Sequence, residues 1–454
     1  MWDGKMANRV IGPLRWLLPG LGIKRWLIIA AFGVFLLLDG VDRYLVAEGS
    51  SFSINELIDT LFNDLFPPSY LSYIFMVLGA LLIVLGVRQW LRALVRAARN
   101  GDQGILDSLL VRRLEQGYKV VAIGGGTGLS TLLRGLKRRT TNLTAVVTVS
   151  DDGGSSGRLQ KELGVLPPGD VRNCLVALAD DEALVTDLFR YRFEEGEGLI
   201  GHSFGNLFLA AMTGITGNFD KAIKESSRVL NIVGRVLPAT LSIVRLCAEL
   251  DDGTIIEGES NIPKAKGRIR RVFFEPDLVQ PLDEVITAIR EADAIVLGPG
   301  SLFTSILPNF LIDRITQEVE RASAVRIYVC NVMTQPGETD RMTAADHVQA
   351  LFENAGARVC DYVIVNDQAP EKLLGAYAEE RQEPVAPDVE RIEVMGLTAV
   401  QAPIISETIN VRHDSSKLAD TVLEVIDRAV AERATFVKPA RAYAKAPSVA
   451  ASRR

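Results

Sequence analysis

The chain has 454 residues, which at roughly 150 per domain suggests two or three units and a sizeable buried core. Hydrophobic residues make up 48% and charged residues 23%, which excludes a mostly disordered chain, and a net charge of −6 argues against a nucleic-acid binder. The four cysteines, Cys174, Cys247, Cys330 and Cys360, form no C-x-x-C pair, which argues against a disulfide scaffold or a cysteine zinc site. The three histidines lack metal-ligand spacing, which weakens a zinc-hydrolase reading.

The mean hydropathy of +0.18 is high for a soluble enzyme, and the excess sits in the first hundred residues. Trp26–Leu38 is continuously apolar but spans only about 20 Å as a helix, short of the ~30 Å hydrocarbon core. Extension to Val46 brings in Asp39, Asp42 and Arg43. A second run, Leu71–Val87, carries no charge. Basic residues stand before the first run (Lys5, Arg9, Arg15, Lys24, Arg25) and after the second (Arg88, Arg92, Arg96, Arg99), while the segment between is acidic. This asymmetry predicts a two-helix membrane hairpin over residues 26–46 and 71–87 with both ends cytoplasmic. The localisation expected is the inner (plasma) membrane, multi-pass. A cleaved signal peptide or two buried core helices are the competing readings. Phe52–Phe66 has helical apolar spacing and is expected to lie on the outer membrane surface. Residues 88–117 read as a basic helix whose arginines face either anionic head groups or solvent.

From Lys119 the pattern changes. Lys119–Ile123, the turn Gly124-Gly125-Gly126-Thr127-Gly128, a helical stretch from Leu129 to Lys137 and the strand Leu143–Val149 form a βαβ unit. Further apolar runs at Ala294–Leu297, Val325–Val332 and Tyr362–Val365 predict an α/β fold with a doubly wound, mainly parallel sheet buried on both faces. Leu241–Leu250 and Thr254–Glu259 flank a turn and, with Arg268–Phe274, predict a small antiparallel excursion. A strand at Arg391–Met395 and a helix at Ser416–Ala431 close the fold. The domain plan is therefore a membrane hairpin (1–100), a linker helix (101–118), a nucleotide-binding domain (119–436) and a disordered basic tail (437–454).

Consecutive glycines at Gly124–Gly128 let backbone N–H groups approach a ligand, and a helix N-terminus behind them favours a phosphate. No Gly-Lys-Ser/Thr follows, so this is not a Walker A loop. Leu129 stands where G-x-G-x-x-G needs its third glycine. Asp151 and Asp152 close the second strand before a Gly/Ser-rich loop. They could bind a ribose, hold Mg²⁺ through water, or form a solvated turn. Asp170 suits a helix N-cap, and Arg172 beside it, with Asn173, is placed where an anion would offset its charge. His202 and Asn206 precede an apolar helix. Gly298, Gly300, Ser301, Phe303 and Thr304 mark a second strand–glycine–helix junction. Asn331 ends another strand before Thr334 and Gln335. In a parallel sheet the carboxyl ends of the strands share one edge, so these clusters are expected in one crevice. The cysteines read as packing residues.

The strings AIGGGTGLSTLLRGLK, VTVSDDGGSSGRLQKELG, PPGDVRNCLVALA, GHSFGNLFLAAM, GPGSLFTSILPN and CNVMTQPGETD resemble the gluconeogenesis factor family (YvcK-like proteins), related to the 2-phospho-L-lactate transferases of deazaflavin-cofactor synthesis. The resemblance runs from about Lys119 to about Ala431, and the hairpin looks like that of membrane-anchored variants. It implies a Rossmann-like fold, binding of UDP-sugars such as UDP-N-acetylglucosamine, and a role in cell shape and cell-wall synthesis during gluconeogenic growth. For the transferase branch it implies group transfer from a guanylyl diphosphate donor with Mg²⁺. On that basis Gly124–Gly128, Gly300 and Ser301 would cradle a diphosphate. Asp151, Asn206 and Thr304 would bind sugar or base, Arg172 would balance charge and Phe303 would supply an apolar face. A homodimer and cell-wall synthesis proteins are the partners it admits.

Overall fold

The computed structural model describes residues 23–47, 68–98, 114–180, 182–265, 267–369, 382–407 and 411–443. The chain divides into two compact units, Met1–Glu115 and Gln116–Arg454.

The first unit pairs helix α1 (Ile23–Ala47) with helix α2 (Pro68–Ala98). Small residues make the contact possible. A Cβ on Gly79 would lie 2.6 Å from the Leu37 nitrogen, and one on Gly33 would lie 2.8 Å from the Gly79 carbonyl. The outward faces are apolar, with Phe32, Val77 and Val84 all more than half exposed. Among the described residues one stretch, Ser72–Trp90 in α2, is long and apolar enough to cross a membrane. The expectation of two such spans is met only by the second run, because Asp39, Asp42 and Arg43 interrupt the first. The surface helix expected at Phe52–Phe66 and most of the linker helix lie outside the described residues.

The second unit is built on seven parallel strands in the order β10-β9-β8-β7-β1-β2-β3. These are β1 (Val120–Gly124), β2 (Leu143–Val147), β3 (Arg235–Pro238), β7 (Ala294–Leu297), β8 (Val325–Val329), β9 (Tyr362–Asn366) and β10 (Thr398–Ala402). Val121 and Ile123 of β1 feed one core, and Val120 and Ala122 feed the other. Both faces are covered, so the strands read as unbroken apolar runs rather than alternating ones. From β1 the chain winds outward through β2 and β3, then returns to β7 and winds the opposite way. The order therefore reverses between β1 and β7, and ligands bind doubly wound sheets at such a point.

The antiparallel excursion is present as β4 (Arg245–Leu250), β5 (Ile255–Glu257) and β6 (Ile269–Glu275), ordered β5-β4-β6. A second small sheet, β11 (Ile405–Glu407) with β12 (Val411–His413), was not foreseen. The helices that frame the site are α3 (Gly126–Leu136), α4 (Gly154–Leu163), α5 (Gly169–Leu178) and α6 (Phe204–Thr216).

The strand expected at Arg391–Met395 is instead part of helix α7 (Val389–Val394). Its residues alternate in polarity, but Ile392 is fully buried while Val389 and Met395, three residues to either side, pack against the same core. That three-residue spacing is helical. Val394 is left 88% exposed, and the strand follows as β10. The closing helix α8 (Ser415–Tyr443) runs past residue 437, where a disordered tail was expected to begin; residues 444–454 lie outside the described residues. All four cysteines are free and buried, as packing residues should be.

Helix α8 lies on α3 at Gly135, where an added Cβ would strike the Ser415 carbonyl and come within 2.7 Å of the Ala419 Cβ. Gly135→Ala should therefore cost about 1–3 kcal/mol. A lowered urea midpoint is expected, and an unchanged one would show that the two helices do not meet there.

Candidate functional site

Two glycine turns meet at the switch point. After β1, Gly125 is extended and Gly126 takes a left-handed conformation at φ +65° as it opens α3. After β7, Gly298 does the same at φ +77°. An L-side chain is strained at both positions. The turns also touch. A Cβ on Gly128 would collide with the Pro299 carbonyl and lie 3.0 Å from the Gly300 nitrogen.

Between them opens a cavity of about 370 Å³. Gly126, Thr127 and Gly128 line it from the first turn, and Gly300, Ser301 and Thr304 from the second. Asn331, Thr334 and Gln335 line it from beyond β8. These nine predicted residues do share one crevice. Gln335 Nε2 donates to Ser301 Oγ at 2.7 Å, and the Gly300 N–H donates to Asn331 Oδ1 at 3.3 Å. The wall is thus fixed before any ligand arrives.

The remaining predicted residues are placed elsewhere. Gly124 and Gly298 face each other at the strand ends and do not line the cavity; a Cβ on Gly124 would sit 3.7 Å from the Gly298 Cα. Gly125 backs onto Asp170, with only 2.5 Å between its virtual Cβ and Asp170 Oδ2. Phe303 is 2% exposed in the core, so its ring is used in packing and offers no face to a ligand. Asp170 is not a helix N-cap, because Pro168 holds that place; its carboxylate instead accepts the Gly126 N–H at the start of α3.

Arg172 belongs to a polar network of α5 and α6. It donates to Ser203 Oγ at 2.6 Å, Asn206 Oδ1 at 2.9 Å and Asn173 Oδ1 at 3.0 Å. Asn206 reaches Ser156 Oγ on α4 at 3.4 Å. The buried His202 shares a hydrogen bond between its Nδ1 and Ser155 Oγ at 2.9 Å. Asp151 Oδ1 accepts the Gly153 N–H at 3.0 Å, and Asp152 Oδ1 accepts the Ser260 N–H at 2.8 Å. This network adjoins the crevice but does not line it.

Glu259, Arg412 and His413 line the cavity without having been foreseen. Glu259 arrives on the antiparallel excursion, Arg412 and His413 on β12. None of the motifs read from the sequence includes them. Arg412 is the one Lys or Arg among the described lining residues.

Carboxyls crowd around Glu259. Burial, then repulsion from Asp170, Asp151, Asp152 and Glu338, raises Glu259 well above the usual carboxylate range. Burial, then Asp151, pushes Asp170 up to about 6, against the opposing pull of the Gly126 N–H. Burial pushes Glu338 up to about 7 although Thr304 donates to it at 3.3 Å. No group of three or more His, Cys, Asp or Glu among the described residues has metal-binding geometry. Mg²⁺ needs only one or two carboxylates beside water and ligand phosphate, and Asp151 and Asp152 each keep a second oxygen, so the donor chemistry fits that mode.

Asp170 and Glu338 hold protons in the folded chain at pH values where the unfolded chain has lost them. Their contribution to stability is thus greatest in acid and declines as pH rises through about 6 to 7. The thermal midpoint should fall between about pH 5 and about pH 8, and Glu338→Gln should flatten that fall. An equal slope in the variant would remove Glu338 from this account.

The comparisons with known proteins agree with this architecture. The family model described as 2-phospho-L-lactate transferase CofD matches residues 120–405. The gluconeogenesis factor of Bacillus subtilis is 52% identical over 310 residues, covering 68% of this chain and 98% of its own length. A Nostoc relative is 49% identical over 429 residues, covering 92% of this chain and 94% of its own. The crystal structure of a UPF0052 family member from Bacillus halodurans superposes with a TM-score of 0.66 at 49% identity, covering 68% of this chain and 99% of that one. With the sheet order, the paired glycine turns and these relatives in agreement, the chain belongs to the gluconeogenesis factors, within the CofD family.

Proposed function

We propose that the crevice binds a nucleotide-diphosphate sugar of the UDP-N-acetylglucosamine type, and that the chain is a membrane-tethered regulator of cell-wall synthesis and cell shape during gluconeogenic growth. The observation that carries the reading is the contact of the two glycine turns, whose residues line one cavity together. The first-turn N–H groups of α3 have no intrahelical partner. Asp170 takes that of Gly126, which leaves those of Thr127 and Gly128 for a phosphate oxygen. Arg412 adds positive charge at the same wall. Hydroxyls and amides of Ser301, Thr304, Asn331 and Gln335 suit a sugar or base.

The membrane part of the reading rests on Ser72–Trp90 and on the apolar outer faces of α1 and α2. Packed through glycine, the pair fits a hairpin in lipid, where small residues bring helix backbones together. Basic residues on both outer flanks support a topology with both ends in the cytoplasm.

A second reading, group transfer from a nucleotide-diphosphate donor, is favoured by the family match and by the carboxyls at Asp151, Asp152 and Glu259. Mg²⁺, when bound, would neutralise the leaving diphosphate. Asp151 and Asp152 would hold the ion's water shell, and the turns would orient the donor.

Calorimetry of the full chain against UDP-N-acetylglucosamine, GDP and NAD, with and without Mg²⁺, separates these readings. UDP-sugar binding without turnover supports the regulator, Mg²⁺-dependent loss of the diphosphate supports transfer, and NAD binding alone defeats both. Gly126→Val should abolish binding by straining the turn and filling the cavity mouth. For topology, a reporter fused after Asp59 should lie outside the cytoplasm; a cytoplasmic signal would refute the hairpin.

A further inference from the structure

The three histidines have different surroundings. His202 Nδ1 is engaged by Ser155, and His347 bonds the Thr343 carbonyl through Nδ1 while its Nε2 is buried without a partner. His413 is the histidine that lines the crevice. Its Nε2 lies 3.2 Å from the Cys330 carbonyl oxygen, which packs beneath it just past the end of β8. A carbonyl only accepts, so Nε2 carries the hydrogen. In the neutral ring Nδ1 is then a bare acceptor. No protein group among the described residues is hydrogen-bonded to Nδ1, and unlike His347 Nε2 it is not a buried orphan. Since the ring lines the cavity and Nε2 is engaged, Nδ1 is the ring nitrogen left for a ligand there.

We propose that His413 Nδ1 is the specificity-determining acceptor of the crevice, taking a hydrogen bond from an N–H or O–H on the base or sugar end of the ligand. The proposal rests on the nucleotide-sugar reading of the crevice and adds which end of the ligand His413 reads. A lone pair repels the oxygens of a diphosphate, so the phosphate end belongs to the glycine turns and Arg412. Burial holds the ring down to about 4. A group that weakly basic makes a poor general base near neutral pH, so the role is recognition rather than proton removal. The Cys330 carbonyl fixes the tautomer, and the acceptor needs no rearrangement when the ligand arrives.

The chain has only three histidines, so nitrogen-15 histidine labelling of the full chain in detergent gives three resolvable rings. Before any ligand is added, His413 should show the neutral Nε2–H tautomer from about pH 5 to about pH 8. A protonated ring or an Nδ1–H tautomer at neutral pH overturns the proposal whatever the crevice binds. UDP-N-acetylglucosamine should shift the Nδ1 resonance, and inorganic pyrophosphate should not. His413→Phe should weaken UDP-N-acetylglucosamine about tenfold to a hundredfold, the effect of one lost hydrogen bond to a polar group. Pyrophosphate affinity should stay within about twofold. His413→Gln, which can still donate to Cys330 and accept from the ligand, should recover part of the loss. Equal weakening of both probes, or no recovery by Gln with a normally folded variant, refutes the assignment. If the wild-type chain binds pyrophosphate but no nucleotide sugar, the nucleotide-sugar reading fails while the tautomer result still stands on its own.

Discussion

The backbone contact between the turn after β1 and the turn after β7 governs the rest of the crevice. Gly128 lies against the Pro299 carbonyl, Gly124 faces Gly298, and Gly125 leaves room for the Asp170 carboxylate. Adjacent parallel strands sit only about 4.8 Å apart. Turns leaving two such neighbours on the same edge collide unless one side has no side chain. Glycine at these positions lets the reversal of strand order form a cavity lined by backbone rather than a plug of side chains. The wider helical turn at Leu302–Ile306 then returns Phe303 to the core and presents Thr304 and Ser305 to the cavity.

The crevice proposed for an anion has carboxyls beside it, and their protonation bears on that reading. Burial pushes Asp170, Glu259 and Glu338 toward their neutral forms, and neighbouring carboxylates add to this at Asp170 and Glu259. A neutral carboxyl donates a hydrogen bond instead of repelling a phosphate. Where a cation enters with the ligand, the same groups can ionise and share its charge. The two readings proposed for the crevice, a bound nucleotide and a metal-assisted transfer, differ in what Asp151 and Asp152 would hold. The Arg172 network has another character. Among the described residues its guanidinium donates to the neutral acceptors Ser203, Asn206 and Asn173, and it ties the starts of α5 and α6 together beside the crevice.

Much of the fold is legible in the residues. Apolar runs reveal β1, β2, β7, β8 and β9, with Arg326 the one charge within them, because strands covered on both faces need no polar side. The edge strands β3 and β10 escape notice, since Arg235 and Gln401 break their apolar runs. The segment at Val389–Val394 misleads because six residues fit a period of two nearly as well as one of three and a half. In the crevice, the glycine turns and the polar residues at strand ends are legible because parallel topology puts them on one edge. Phe303 is misread because neither its neighbours nor its spacing tells which side of a turn it occupies.

Composition and local pattern by themselves determined an apolar N-terminal pair of helices, a parallel doubly wound sheet and a sheet edge marked by glycine turns. Those features depend on interactions between residues close in sequence, so a single chain displays them. Tertiary structure alone decided that Glu259, Arg412 and His413 share the cavity, while Arg172, His202 and Asn206 close a separate network beside it. Those groupings depend on how β12 and the antiparallel excursion fold back onto the sheet edge. Segments so distant along the chain become neighbours only through packing, which leaves no periodic trace in the residues that meet.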